Sequence, residues 1–500
     1  MNEAYGKLMD RIKDVGRMHA VEQLLDWDQE TYMPAEGVKP RAELTALVSG
    51  LAHERLISDE TRKLLDDASS AEDDHVAQTN LRETRRAFDR ASRIPTELVK
   101  EIAHTGAIAK SVWAKAREQS KFADFAPHLE KLLELKRRVA EHVGYESEPY
   151  DALMDEFEPG ARASQLEELF SKLGDATAKF LRKLMAAPQQ PDASILTRNY
   201  PRAVQEKLSR HMAESLNFDF GAGRIDVTVH PFCLSIGGGR DVRITTRYEE
   251  DFLPAAMFGT MHETGHALYE QGLPSAHTFT PAGEAVSLGI HESQSRMWEN
   301  LVGRSRAFWT YHFDYVKGLF PEALGDVGLE QFYRAINTVK PSFIRVEADE
   351  LTYNLHIALR FQIERSLIAG DLTAGEAPEA WNAKMKELLG ITPASDSDGC
   401  LQDIHWSMGI FGYFPTYALG NLYAAQFFEQ ARKDISDLDD RIAANDHKPL
   451  LTWLREHIHG HGQRFRAGEL VQRVTGKPLS IEPFMNYVEK KFSTVYGLSA

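Results

Sequence analysis

Cysteine is nearly missing from this chain: Cys233 and Cys400 are the only two in 500 residues, and neither sits in a CxxC spacing. One pair at most excludes a disulfide framework, so both read as inert thiols of a reducing compartment. Long apolar runs are also absent. No window holds the 18 or so apolar residues of a membrane span, and the opening MNEAYGKLMDRIKD lacks the apolar stretch of a secretory signal. Nor is there an excess of positive charge. With 74 acidic against 58 basic residues the formal net charge is −16, which disfavours nucleic acid and anionic membrane as partners, since both reward clustered Lys and Arg. Polar low-complexity tracts, the mark of disorder, are missing too. The expectation is a compact cytoplasmic enzyme or scaffold.

What is present is core and helix. Hydrophobic residues make up 43% of the chain, ample for two subdomains or one large domain around a cleft. Tyr5, Leu8, Ile12, Val15 and Met18 recur at helical spacing, and SQLEELFSKLGDATAKFLRKLM opens with a capping-box pattern, Ser164 to Glu167. APQQPDAS, residues 187–194, breaks the pattern and suggests a division into a helical half, 1–195, and a second half, 196–500. Only one region alternates like strand. RIDVTV puts Ile225, Val227 and Val229 on one side; after the turn-like GGGR, DVRITT puts Val242 and Ile244 on one face and Asp241, Arg243 and Thr245 on the other. The region reads as a small antiparallel sheet in a mainly α protein.

The chemistry concentrates in TMHETGHALYEQG, residues 260–272. Leu253, Met257, Met261, Thr264 and Leu268 trace an inner stripe, Pro254 suits a first turn, and Gly272 with Pro274 stops the helix. His262 and His266 then lie one turn apart on one face and can share a tetrahedral zinc, with Glu263 beside them as a general base toward water. A catalytic zinc needs a third protein ligand. Residue 272 is glycine where HExxHxxGxxH would require histidine, so the ligand should be a carboxylate on another helix. Residues 284–303 offer Glu284, Glu292 and Glu299. Glu292, 26 residues beyond His266, leaves room for a loop and an antiparallel return, and spacing alone leaves the other two open. A second histidine cluster in REHIHGHGQRF, with His457, His459 and His461, reads as a surface or subdomain-packing feature, because i and i+2 point apart on a helix.

Taken together these motifs resemble the carboxypeptidase Taq family of metallocarboxypeptidases. HPF at 230–232, DVRIT at 241–245, HETGH followed by HESQ, IRVEAD at 344–349 and GCLQDIHW at 399–406 occur in order, and the likeness extends to LLDWDQETYMP and GELVQRVTGKPL near the two ends. The resemblance implies a thermolysin-related, neurolysin-like helical metallopeptidase with a deep central groove, one wall of it from the N-terminal half. It also implies a homodimer, zinc or substituting cobalt held by His262, His266 and Glu292, Glu263 as base, and broad-specificity release of single residues from peptides with free C-termini.

His405 and Tyr417 or Tyr413 are the candidates that the resemblance suggests for stabilising the developing oxyanion. A carboxypeptidase must also bind a free α-carboxylate, which arginine suits best. Arg345, with Asp349 one turn on, reads from sequence as a structural ion pair, and the resemblance tilts it toward the carboxylate anchor; Arg243 is the rival. Asp241, Arg243, Thr245, His230 and His291 are expected to shape the site from behind the ligands. Two alternatives remain: an oligopeptidase of the same fold cutting internal bonds, and a non-catalytic peptide-binding scaffold.

Overall fold

The computed structural model describes residues 2–70 and 74–498, which are mainly helical around one small sheet. They cluster into two compact units, each gathered from three stretches of chain. The first comprises Met1–Ser92, Asp192–Ile336 and Ala424–Pro478; the second comprises Arg93–Pro191, Asn337–Tyr423 and Leu479–Ala500. The APQQPDAS segment is non-helical until a 3-10 turn at Ser194–Thr197.

In the first unit the stripe of the long helix Glu3–Thr31 packs as its spacing predicts. Tyr5, Leu8 and Ile12 join Leu65, Ala77 and Phe88 in one cluster, while Met18 is only half-buried. The sheet has three strands, β1 (Gly223–Val227), β2 (Cys233–Ser235) and β3 (Val242–Thr246), in the order β1-β3-β2. It is mixed, not wholly antiparallel as expected. β2 and β3 form a hairpin through the glycine turn, whereas β1 lies on the other side of β3 and runs parallel to it, Ile225 beside Ile244. Gly237 and Gly238, at φ +81° and +84°, take the left-handed conformations that the turn requires.

β3 buries Val242 and Ile244 as expected, against Ala213, Phe218 and Ala267. β1 departs from the expected pattern. Ile225 packs beside Ile244 on the core as expected, but Val227 and Val229 are 40% and 73% exposed, while Asp226 and Thr228 on the opposite face are buried. Polar partners meet the buried carboxylate: Asp226 accepts from Arg224 Nε at 2.7 Å and from the Tyr32 hydroxyl at 2.7 Å.

The second unit is built on the helix Tyr353–Ala369, buried on nearly every side, with Phe122–Val143 and Ala163–Met185 packed against it. The Ser164 to Glu167 capping box does not form. The helix begins at Ala163 with Arg162 as its N-cap, and the Asp151 carboxylate takes the Ala163 N–H at 2.7 Å, so Ser164 already lies inside the first turn.

Candidate active site

In the first unit the helix Leu253–Glu270 runs through the interior, packed on β3 and on the helices Arg202–Ser215 and Leu288–Arg296. Its predicted stripe of Leu253, Met257, Met261, Thr264 and Leu268 is fully buried. Burial extends to Ala256, Phe258, Ala267 and Tyr269, leaving one half-buried ridge, Ala255, Gly259, His262, His266 and Glu270, that carries both histidines. Gly265 admits the neighbouring helix. A Cβ there would stand 2.6 Å from Ser295 Cα and 2.7 Å from the Gln294 carbonyl oxygen, a distance only glycine tolerates.

That crossing brings Glu292 to both rings. Its Oε2 is 3.5 Å from His262 Nε2 and 3.3 Å from His266 Nε2, and one ligand atom from each of the three residues lies within 4.8 Å of the others. Of the glutamates that spacing left open, Glu292 therefore joins the histidines. Glu299 instead takes the outer nitrogen of His262, Nδ1 to Oε2 at 2.9 Å. Glu284 lies away from both, on the wall of a cavity.

The surrounding network orients the ligand atoms. Glu299 accepts from His262 Nδ1–H, which leaves the Nε2 lone pair free to face Glu292. His266 Nδ1 is 2.5 Å from His291 Nδ1, and His291 Nε2 is 2.8 Å from Glu270 Oε1. With Glu270 accepting from His291, the His291 Nδ1 accepts in turn from His266, and the His266 Nε2 lone pair also turns inward. Arg296 Nε donates to Glu292 Oε1 at 2.7 Å, leaving Oε2 toward the histidines.

Electrostatics follow the same plan. Burial opposes the Glu292 charge, but Arg296 and His262 outweigh it and hold the carboxyl well below its usual range. Burial likewise opposes Glu299, yet Arg296 and His262 bring it down to about 2. Burial lowers His266 to about 3, keeping the ring neutral. Burial raises Glu263, 7% exposed, to about 7.

Behind this cluster His459 takes the packing role, of the surface and packing roles that its spacing left open. It is fully buried, bonded through Nε2 to Gln294 Oε1 at 2.9 Å, and Gly272 leaves room for its ring, since a Cβ there would fall 2.2 Å from Nδ1. The chain around it is a kinked 3-10 segment, which turns this one histidine inward. Thr245 pins the HPF segment: its hydroxyl accepts from Phe232 N–H at 2.8 Å and donates to the Phe232 carbonyl at 3.1 Å. Arg243 pairs with both Asp241 oxygens at 2.9 Å and lies 4.1 Å from the Trp27 ring centroid. His230 is exposed and makes no hydrogen bond to the ligands, unlike His291.

In the second unit a separate cluster forms around Arg345. The expected pair with Asp349 is absent. Asp349 instead accepts from the Lys340, Leu351 and Thr352 backbone N–H groups, each at 3.0 Å, because Arg345 lies in a 3-10 turn (Arg345–Glu347) and not on the helix that follows. Arg345, 6% exposed, donates from Nε and Nη2 to Asp403 Oδ1 at 3.1 and 2.8 Å and from Nη1 to the Tyr353 hydroxyl at 2.8 Å. Arg360 Nε donates to the other Asp403 oxygen at 2.7 Å. The Tyr417 ring lies 4.9 Å from the Arg345 guanidinium, and His405 packs among Tyr413, Phe414 and Tyr417. Burial lowers His405 to about 4, so its ring is neutral near pH 7.

The family model of carboxypeptidase Taq (M32) metallopeptidases matches residues 7–492. The chain belongs to the carboxypeptidase Taq family. It is 44% identical to thermostable carboxypeptidase 1 of Thermus thermophilus, covering 99% of both chains, and 38% identical to carboxypeptidase 1 of Bacillus subtilis, covering 98% of both. Among solved structures, the M32 carboxypeptidase of Deinococcus radiodurans R1 superposes with a TM-score of 0.96 at 39% identity, covering 99% of this chain and all of that one. As a member of this family the chain is a metallocarboxypeptidase, a hydrolase acting on peptides. The family implies a divalent metal, and His262, His266 and Glu292 fit one: two imidazole nitrogens and one carboxylate oxygen form a donor set suited to it. No helix among the described residues is long and apolar enough to cross a membrane.

Sequence reasoning did not single out Glu270 or Asp403, and it named Glu299 only as a rival ligand. Glu270 follows His266 by one turn and Glu299 follows Glu292 by two, so helical spacing carried a signal for both. Asp403 lies inside the GCLQDIHW segment, with nothing in its spacing to reveal which arginines it joins.

Proposed function

We propose that this metallocarboxypeptidase releases single C-terminal residues of broad type from peptides, using zinc, or cobalt in its place, held by His262, His266 and Glu292. The observation that carries the proposal is the convergence of these three ligand atoms beside the buried Glu263. A bound metal of this kind polarises the scissile carbonyl and acidifies water. Glu263 takes the proton from the attacking water and passes it to the departing amine, work that its pKa of about 7 suits near neutral pH. Glu299 and the Glu270–His291 pair hold the two imidazoles in the tautomer that leaves Nε2 free.

Arg345 is proposed to anchor the substrate carboxylate. Three of its five N–H groups are engaged by Asp403 and Tyr353, which fixes the guanidinium and leaves two donors for a bidentate partner. His405 and Tyr417, with Tyr413 beside them, supply hydrogen-bond donors to the developing oxyanion; a neutral His405 donates without giving up its proton. Asp241, Arg243 and Thr245 support the substrate side through Phe232 and Trp27, and His230 offers an exposed contact. The enzyme is proposed to act in the cytoplasm as a homodimer.

Turnover of C-terminally amidated peptides at the rate of their free-acid counterparts would favour internal cleavage over this assignment. Selective loss of free-acid cleavage in Arg243→Ala, with Arg345→Ala unaffected, would move the anchor to Arg243.

A further inference from the structure

Between His405 and Tyr413 the chain makes a tight loop in the second unit, and one carboxylate holds both of its ends. Glu364, on the helix Tyr353–Ala369, is 0% exposed. Its Oε1 accepts from the Trp406 indole N–H at 2.8 Å. Its Oε2 accepts from the Gly412 backbone N–H at 3.0 Å and from the Tyr150 hydroxyl at 2.8 Å. Trp406 directly follows His405, and Gly412 directly precedes Tyr413. The two anchors are buried, whereas His405 and Tyr413 are half-buried, with ring centroids 5.4 Å apart. The rest of the loop closes on itself. His405–Met408 is a 3-10 turn, and the Ile410 N–H returns to the His405 carbonyl at 3.0 Å. Gly412, at φ +85°, lies against the short helix Pro149–Met154, where a Cβ would stand 2.7 Å from Met154 N. That helix supplies Tyr150, and Phe157 just beyond it meets the Tyr413 ring edge-on at 5.1 Å.

A carboxylate without exposure is costly to bury, and the cost is offset only where donors converge on it. Here the donors come from the two residues that flank the half-buried rings. We propose that Glu364 is a positioning residue, a clamp on both ends of the 405–413 loop that holds the rings of His405 and Tyr413 in one geometry. It acts through the loop and not on the substrate. Its effect on rate rests on the reading of His405 and Tyr413 as donors to the oxyanion, whereas the clamp itself stands on the three hydrogen bonds. An amide cannot do the same work. In Glu364→Gln one oxygen becomes an NH2 group, so either the Trp406 or the Gly412 N–H, neither able to accept, is left facing a donor. Removing the indole donor as well, in Trp406→Phe combined with Glu364→Gln, lets the NH2 turn to the vacated side while the remaining oxygen serves Gly412 and Tyr150.

The test uses the metal-loaded, full-length enzyme and a free-acid peptide, with metal content measured for every variant. Glu364→Gln should lower kcat roughly ten- to a hundredfold, the scale of a misplacement of about 1 Å, with KM and metal content little changed. The combined Trp406→Phe and Glu364→Gln variant should recover the kcat of Trp406→Phe alone. In a His405→Phe background, Glu364→Gln should lower kcat by no more than about twofold further, because the ring it positions is gone. Crystal structures read the clamp without activity: residues 405–413 should be displaced in Glu364→Gln and back in place in the combined variant. A loop that keeps its place in Glu364→Gln, a combined variant without recovery, or a loss of equal size with and without His405 overturns the proposal. Should Glu364→Gln not fold, the combined variant decides: kcat equal to that of Trp406→Phe supports the clamp, and a lower one overturns it. Full activity of His405→Phe, with the loop displaced in Glu364→Gln, would sink the oxyanion role of His405 and leave the clamp standing.

Discussion

Glu299 Oε2 lies 2.9 Å from His262 Nδ1, and the same carboxylate accepts from Arg296 at 3.3 Å. A carboxylate on the outer nitrogen fixes the imidazole tautomer and strengthens the inner nitrogen as a donor to metal. Glu299→Gln should therefore weaken metal binding about 10- to 100-fold, the usual cost of removing such a partner. Competition against a chelator of known affinity reads the change; unaltered affinity would show that the contact does not set the tautomer.

Gly265 is the contact point between the two helices that bring the ligands together. Gly265→Ala should destabilise the fold by about 1–3 kcal/mol, because its Cβ would meet the backbone of Ser295 and Gln294, which cannot move aside as a side chain would. Helix propensity acts in the opposite direction by about 1 kcal/mol and is outweighed. Denaturant unfolding of the metal-free protein measures the balance, and a stabilised variant would contradict the close crossing.

Asp403 neutralises two buried arginines, Arg345 at 6% exposure and Arg360 at 0%. Asp403→Asn should cost about 3–5 kcal/mol, the penalty for leaving buried charge uncompensated. If Arg345 anchors the substrate, KM for free-acid peptides should rise in whatever folded enzyme remains. A variant of unchanged melting temperature would mean that solvent already screens the pair.

Three histidines of the first unit predict an acid limit to stability. His312 Nδ1 is 3.3 Å from His211 Nε2, its Nε2 is 3.1 Å from Asn445 Oδ1, and His447 is fully buried beside Phe308. Burial lowers His312 to about 3 and His447 to about 4, and lowers His211 as well. The unfolded chain binds these protons below about pH 6.5 and the folded one resists, so their contribution is fully present above pH 6.5 and is lost as pH falls toward 4 and then 3. The melting temperature of His312→Gln should fall less steeply than that of the wild type across this window. Parallel slopes would show that the cluster takes up protons without unfolding.

Much of the site was legible because helices express contact as spacing. His262 and His266 one turn apart, and the stripe from Leu253 to Leu268, needed no coordinates. The choice of Glu292 over Glu284 and Glu299 was not legible from spacing, since it depends on a crossing that Gly265 permits, and a glycine does not name its neighbour. The burial of the polar face of β1 was hidden for a similar reason: Asp226 meets Tyr32, 194 residues away in sequence, a tertiary contact that alternation does not display. Arg345 was read against Asp349 because local pairing is all that a sequence displays, whereas its partner Asp403 lies 58 residues away.

The central claim is metal-dependent release of residues from the C-terminus with Glu263 as the base. Mass spectrometry of a free-acid peptide incubated with the enzyme tests it most directly, alone, with chelator, with zinc restored, and with Glu263→Gln. The account predicts a ladder of single-residue losses from the C-terminus that chelation abolishes and zinc restores, and none from Glu263→Gln although it retains metal. Internal fragments, a ladder that survives chelation, or an active Glu263→Gln enzyme would contradict it.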